Sequence, residues 1–420
     1  MNIGFVSTRL AGTDGVSLEA GKVAEILSRL KHTCFYCAGE ITSSDIAGTV
    51  VPEMSFNHPS IQPLQEAAFG SHQADGLASQ IAVVAARIQD KIGTFVREDS
   101  IDLLVSQNAL TIPMNLALGV ALTNYITETG MQTIAHHHDF WWERERFAIH
   151  AIPEMLARCF PPDLPSVRHV VINTLAQQTL AQRFTMDSFV LPNVLDFDRA
   201  HSDQQRRRDE LRFALGLEPK DRLILQPTRV VPRKGIEHSI ELVRRLQATE
   251  PDRRHVLLVT HPAGDEGCGY LEYLTSTAAS SNVELQYLAN WFPSLEPQDK
   301  CGTGSWTLQD AYEASDFVSY PSLTEGFGNA FLEAIFYCKP ILVNRYPVYI
   351  ADIAPRGFRV VEIDGSITDQ AVDQVQTLLG DEVLARRITD HNYDVAKQYF
   401  SYRTATRVIS EVLSTFKTRR

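Results

Sequence analysis

The chain has 420 residues, of which 44% are hydrophobic and 21% charged, with a formal net charge of -12. That length exceeds one ordinary core and suits two, and the acidic balance disfavours nucleic acid and stable docking on an anionic membrane as partners. Apolar runs such as Ile81–Ala86 fall far short of a membrane span. Met1–Ser7 reads as a first strand rather than a leader, and six cysteines do not make a disulfide framework, so the expectation is a cytoplasmic protein.

Strand and helix patterns alternate along the chain. Asn2–Ser7 is an apolar strand, followed by a glycine-containing loop and an amphipathic helix near Gly15–Leu30. Thr33–Cys37 reads as a strand; it contains Cys34 and Cys37 at redox-motif spacing, but a buried strand is the preferred reading. Ala82–Val96 has helical spacing, Ile101–Ser106, Gln132–Ala135 and His169–Ile172 read as strands, Leu175–Arg183 as a helix, and Phe189–Leu191 closes the series. After a boundary near Pro192–Arg199, the arginines of Asp203–Leu211 read as a solvated helical face, with phosphate binding as the lesser alternative. The alternation then restarts. Strands are expected at Arg222–Gln226, His255–Thr260, Val283–Tyr287, Phe317–Tyr320 and Pro340–Val343, with helices at Ile236–Leu246 and Asn329–Tyr337. Short apolar runs separated by helices predict parallel sheets covered on both faces. The expected fold is therefore α/β, with two Rossmann-like doubly wound domains facing a central cleft: residues 1–196 and 197–399. A last helix within His391–Phe416 returns to the first domain, so that 400–420 packs on it.

Three constellations carry chemistry. In Tyr320-Pro-Ser-Leu-Thr-Glu325-Gly-Phe327-Gly328-Asn329, continuing to Glu333, a glycine-rich turn opens a helix between two carboxylates. Its free N–H groups suit a phosphate, while Asn329 and Glu333 share one face; a capped helix with no ligand is the alternative. In Gln226-Pro-Thr-Arg229-Val-Val-Pro-Arg-Lys234-Gly235, Arg229 and Lys234 stand between a strand end and a helix, where they can neutralise a diphosphate; a solvated pair is the alternative. As a loop residue, Lys234 is expected to matter to turnover and little to stability. In His136-His137-His138-Asp139-Phe-Trp141-Trp142-Glu-Arg144-Glu-Arg146, His136 and His138 share a strand face and His137 points away, which disfavours a common metal. The tryptophans suit either a sugar face or packing, and Arg144 and Arg146 either an anionic acceptor or an ion-paired helical face.

The Arg-x4-Lys loop and the Glu-x7-Glu in Tyr-Pro-Ser-x-x-Glu-Gly-Phe-Gly resemble the family 4 retaining glycosyltransferases of the GT-B fold (glycosyltransferase group 1). Tyr312, Ala314 and Asp316 match that family's lead-in, Pro192–Asp196 its inter-domain segment, and Gly12–Val16 its N-terminal glycine loop. The resemblance implies that Arg229 and Lys234 hold a donor diphosphate and that Glu325 contacts the transferred sugar. Phe327, Gly328 and Asn329 would present amides, Glu333 would bind ribose, and Gly15 would lie beside the diphosphate. It also places a histidine on the donor sugar, His138 matching best with His136 in reserve. His136, Trp141 and Arg144 are the acceptor-side candidates. The histidine–tryptophan stretch also resembles enzymes that build glycosylated glycerate-type solutes.

What the resemblance implies is a retaining hexosyltransferase. It would move a hexose from a UDP- or GDP-sugar to a hydroxyl of a small polar acceptor, either neutral or anionic, by front-face attack. No cofactor is required, and magnesium is compatible with the chemistry. A nucleotide-sugar 2-epimerase of the same architecture and a non-catalytic nucleotide-sugar sensor are the alternatives.

Overall fold

Short apolar runs become strands that are buried on both faces, and the amphipathic runs between them become the covering helices. The computed structural model describes residues 1–12, 15–42, 46–70, 76–199, 205–263, 267, 269–292 and 306–416. They form two units, Met1–Pro192 with Arg403–Arg420, and Asn193–Tyr402.

The first unit runs β1 (Asn2–Ser7), α1 (Gly15–Arg29), β2 (Thr33–Ala38), β3 (Gly48–Val50), α2 (Gln62–Phe69), α3 (Leu77–Glu98), β4 (Leu103–Gln107), α4 (Leu116–Thr129), β5 (Thr133–His137), α5 (Pro153–Cys159), β6 (Val167–Val171), α6 (Thr174–Phe184) and β7 (Ser188–Val190). Its seven strands are ordered β3-β2-β1-β4-β5-β6-β7, and each pairs in parallel with its neighbour. Helix α3 buries Leu77, Ile81, Val84, Ala85, Ile88, Ile92 and Phe95, a stripe at helical spacing. Each large side chain there contributes roughly 1.5–3 kcal/mol on burial. Helix α4 is different: Leu116 through Thr123 are all buried, so no stripe marks it in the sequence. Its start is fixed by Asn115, whose Oδ1 accepts the Leu118 N–H at 3.0 Å.

Cys34 and Cys37 lie in β2 as free, buried thiols. Burial pushes them up to about 11 and about 12, so neither is a thiolate at neutral pH and the redox alternative falls.

The second unit runs α7 (Gln205–Ala214), β8 (Arg222–Gln226), α8 (Ile236–Thr249), β9 (His255–Val259), α9 (Gly269–Ser280), β10 (Glu284–Tyr287), α10 (Leu308–Ala314), β11 (Phe317–Tyr320), α11 (Asn329–Phe336), β12 (Ile341–Asn344), β13 (Val361–Ile363), α12 (Asp369–Gly380) and α13 (Glu382–Tyr399). Six parallel strands are ordered β10-β9-β8-β11-β12-β13. Of the arginine-rich segment, residues 203–204 lie outside the described residues. Arg206 pairs with Glu210, and Arg207 reaches the buried Asp310 at 2.6 Å, so these two arginines are ion-paired to the protein.

The single helix expected within His391–Phe416 is instead two, α13 and α14 (Tyr402–Ser414). The break has a local cause. The Phe400 carbonyl accepts the Leu195 N–H at 3.0 Å, and Leu195 bridges to Ser401, so this stretch pairs as a strand. Beyond it, Arg168 of the first unit donates to Thr415 Oγ1 at 3.0 Å and sits over the Phe416 ring.

Both sheets reverse their order of succession between a first and a fourth strand, β1/β4 and β8/β11. Loops leaving the carboxyl ends of strands at such a point diverge to opposite faces and leave a crevice where ligands bind.

Candidate active site

In the second unit the two loops at the switch point carry the second and first constellations. Strand β8 ends at Gln226; the chain then passes Arg229, turns through Pro232–Lys234 and enters α8 at Gly235. Strand β11 ends at Tyr320, and the following loop passes Glu325 before entering α11 at Asn329. The loops are stitched together. The Leu323 N–H donates to the Arg233 carbonyl at 2.8 Å, and Gly235 packs so closely that a Cβ would stand 2.7 Å from the Pro321 carbonyl oxygen. Gly235 also has φ +59, a conformation that costs other residues roughly 1–2 kcal/mol.

This stitching brings Lys234 onto Glu325, the two side chains each being 10% exposed. The Lys234 ammonium donates to Glu325 Oε1, and Arg233 reaches Oε2 at 3.3 Å and the Thr324 carbonyl at 3.3 Å. Burial works against the Glu325 carboxylate, but Lys234 and then Arg233 outweigh it and hold the group below the usual carboxylate range. Burial likewise lowers Lys234, and the attraction of Glu325 only partly offsets it. The result is a low-dielectric carboxylate under two cations, with Arg229 exposed on the same loop. Arg233 is a site neighbour that the two-residue Arg-x4-Lys signature passes over.

His261 is a second addition. The loops after β8 and β9 continue in parallel, with Val230 bridged to Ala263 and the Val230 N–H on the Pro262 carbonyl. That register brings His261 beside Arg229 and Lys234; burial first, then those two cations, lower its imidazole to about 4. Part of the neighbouring segment, 264–266 and 268, lies outside the described residues.

Gly328 enters α11 with φ +130, and Phe327 is buried beneath it, edge to face with Phe400. Asn329 Oδ1 accepts from Asn193 Nδ2 at 2.6 Å. Glu333, one turn further, accepts from the buried Tyr312 hydroxyl at 2.9 Å through Oε2.

In the first unit the histidine run leaves β5. His136 is buried and lines a small apolar cavity of about 20 Å³ with Val105, Ile134, Val170, Val408 and Val412, its Nε2 without a partner among the described residues. That is a core position. His136 and His138 do share a face, with ring centroids 4.4 Å apart. His137 points the other way into a buried chain, Thr111 Oγ1 to its Nδ1 and its Nε2 to His169 Nδ1 at 2.9 Å. His138 is half-buried; its Nε2 meets Gln107 Oε1 at 2.9 Å, and its backbone N–H donates to Asn108 Oδ1. Burial lowers it to about 4, so the imidazole is neutral at pH 7.

Asn108 and Arg144 both donate to Asp139, which fixes the turn. Trp141 donates its indole N–H to the Phe160 carbonyl at 3.0 Å, and Trp142 stacks between Phe140 and Arg183. Both tryptophans thus have packing partners within the unit. Gly15 opens α1 with nothing among the described residues packed where its Cβ would stand, and Thr13 and Asp14 of the glycine loop lie outside those residues. Among the described residues there is no cluster of three or more His, Cys, Asp or Glu placed to hold a metal ion. No helix among them is long and apolar enough to cross a membrane.

Three comparisons bear on this geometry. The sequence profile of the family described as Glycosyl transferases group 1 matches residues 207–395. Over nearly its whole length the chain is also similar to a curated relative. It is 32% identical to a mannosylglucosylglycerate synthase of Thermotoga maritima, covering 98% of this chain and 100% of that protein. The chain belongs to the group 1 glycosyl transferases. A mannosylglucosylglycerate synthase of Petrotoga mobilis is also 32% identical, over 86% of each chain. Among solved structures, the fold is similar to Anabaena Alr3699/HepE in complex with UDP and glucose. The TM-score is 0.67 at 15% identity, over 99% of this chain and 100% of that one. Sucrose-phosphate synthase from Thermosynechococcus elongatus gives 0.69 at 12% identity, over 99% and 98%. The chain is therefore a glycosyltransferase of GT-B fold. The matched span of this glycosyltransferase contains Arg229, Lys234, Glu325 and Glu333, while Gly15 and His138 lie outside it.

Proposed function

We propose that this glycosyltransferase moves a hexose, with retention at the anomeric carbon, from a nucleoside-diphosphate sugar to a hydroxyl of a small anionic acceptor. The observation that carries the reading is the stitched pair of loops at the β8/β11 switch point, with Lys234 and Arg233 on Glu325 beside the N-terminus of α11. In this proposal Arg229 and Lys234 neutralise the diphosphate, and the amides of Phe327, Gly328 and Asn329 add fixed donors. Glu325 contacts the transferred sugar, Glu333 takes the ribose, and Gly15 lies against the diphosphate. Neutral His138 offers one N–H and one lone pair to sugar hydroxyls, with Trp141 and Arg144 on the acceptor side.

The acceptor hydroxyl approaches from the leaving-group side. As the bond from the anomeric carbon to the diphosphate oxygen breaks, the new glycosidic bond forms on the same face and the hydroxyl proton passes to a diphosphate oxygen. Negative charge grows on that leaving group, and preorganised cations and amides stabilise it without reorganisation. Magnesium is an optional aid to the leaving diphosphate in this scheme. The names of the full-length relatives favour a glycosylglycerate as acceptor and mannose as the hexose. A cytoplasmic enzyme fits such a metabolite.

The test is a matrix of UDP- and GDP-sugars against glycerate, glucosylglycerate and inositol phosphate, followed by product mass and anomeric configuration by NMR. A retained product with one donor–acceptor pair supports the reading. An inverted product overturns the front-face mechanism. Epimerised nucleotide sugar formed without acceptor would make the enzyme an epimerase, and binding without turnover would make it a sensor.

A further inference from the structure

We infer that Tyr346 is a positioning residue that turns the Gly328 amide toward the donor's phosphate oxygens. This rests on the donor-site reading above. Tyr346 lies in the loop after β12 and is 1% exposed. Its hydroxyl donates to the Phe327 carbonyl at 2.6 Å. The Phe327 carbonyl and the Gly328 N–H belong to one rigid peptide plane, and across a trans peptide they point in opposite directions. A carbonyl drawn inward to Tyr346 therefore sends the Gly328 N–H outward. Among the described residues, no carbonyl or side chain is hydrogen-bonded to that N–H.

Three further observations show that the arrangement is built. Gly328 has φ +130, and a Cβ there would stand 2.6 Å from the Tyr346 oxygen and 3.2 Å from the Tyr320 oxygen, so the two hydroxyls leave room only for glycine. Tyr320 and Tyr346 meet edge to face, which fixes both rings. The last residue of β12, two before Tyr346, holds the other end of the Glu325 loop. Asn344 Nδ2 donates to the Ser322 carbonyl at 3.2 Å, and its Oδ1 accepts the Gly365 N–H at 2.8 Å. Glu325 thus lies in the chain between two carbonyls, those of Ser322 and Phe327, held by the buried side chains of Asn344 and Tyr346 at the carboxyl end of β12. Without the Tyr346 hydroxyl the Phe327–Gly328 peptide is free to rotate, and glycine at 328 offers no steric resistance.

The experiment uses the full chain. Tyr346→Phe should lower kcat by about tenfold or more, a fraction of the 10²–10³ that follows complete loss of an oxyanion donor. It should weaken UDP or GDP binding by calorimetry while leaving KM for the acceptor unchanged. A merely structural hydroxyl would lower the melting temperature and leave kcat intact well below it, and that result overturns the inference. A second measurement needs no variant. In the wild-type protein, the Gly328 amide proton should move downfield in a TROSY spectrum on addition of the nucleoside diphosphate, and a nucleotide that binds without moving it also overturns the inference. If neither nucleotide binds and Lys234→Ala changes nothing, the donor-site reading itself fails and takes this inference with it. Nucleotide binding that depends on Lys234 but not on Tyr346 sinks the inference alone.

Discussion

Replacing Lys234 by alanine should damage both turnover and stability, and the structure sets the size of each. The lysine is 8% exposed, and its ammonium lies on Glu325. Breaking a buried pair by removing one partner costs about 3–5 kcal/mol when the other charge is stranded. Here Arg233 still faces Glu325 at 3.3 Å from a half-exposed position, which reduces the loss to about 2–3 kcal/mol. For a unit of this size that is a fall of roughly 5–10 °C in Tm. A loop lysine read from sequence alone is expected to leave Tm unmoved; its burial corrects that expectation. The charge also acts where the diphosphate departs, so kcat should fall by on the order of 10²–10³, with KM changing less. Measuring kcat, KM and Tm on one preparation, with Lys234→Ala/Glu325→Gln alongside, separates the effects. The double variant removes the stranded charge and should regain much of the Tm but none of the turnover. Wild-type kcat in Lys234→Ala would remove the diphosphate assignment and with it the proposed mechanism.

Gly235→Ala should cost about 2–4 kcal/mol, since it adds left-handed strain to the contact at 2.7 Å with the Pro321 carbonyl; chemical denaturation measures it, and a loss under 0.5 kcal/mol would refute the stitching of the two loops. Stability should also fall as pH drops from 6.5 toward 4. His138 and His169 are held at about 4 against 6.5 in the unfolded chain, so in that window only the unfolded state takes up the protons. Each site contributes on the order of 2–3 kcal/mol, fully present above pH 6.5 and lost progressively below it, and urea midpoints that do not move between pH 7 and pH 5 would contradict the assignment. Glu333→Gln should keep the Tyr312 contact yet raise KM for the donor about tenfold, as loss of one charged hydrogen bond predicts; an unchanged donor KM would remove the ribose role. Arg144→Ala should leave Tm within about 1 °C, because Arg144 itself is 45% exposed and Asn108 still donates to Asp139 once the arginine is gone, while KM for an anionic acceptor rises; equal KM in both proteins would take Arg144 out of the acceptor site.

The strands were legible because a parallel strand buried on both faces is written as an uninterrupted apolar run. Arg222–Gln226 and Phe317–Tyr320 have the same limits in the sequence reading and in the structure. The amphipathic helices α3 and α8 were legible from their buried stripes. Helix α4 was not, since a helix apolar on nearly every side has no period to detect. Short edge elements such as β3 and β13 carry only three residues of pattern each. The break between α13 and α14 depends on pairing with Leu195, some two hundred residues earlier, which no local pattern encodes.

For the site, spacing alone placed Arg229, Lys234 and Glu325 on loops after strands and Glu333 one turn into the helix that follows, because loop length and residue type are local properties. Which of them touch was decided by the tertiary structure. Adjacency of β8 and β11 puts Lys234 on Glu325, and the loop after β12 supplies Tyr346 beneath Gly328. The histidine run shows the same division. Alternation along a strand settled which rings share a face, a matter of backbone geometry. Whether a shared face looks into the core, as at His136, or meets Gln107 at the end of β4, as at His138, was fixed only by what the sheet and its helices stack against it.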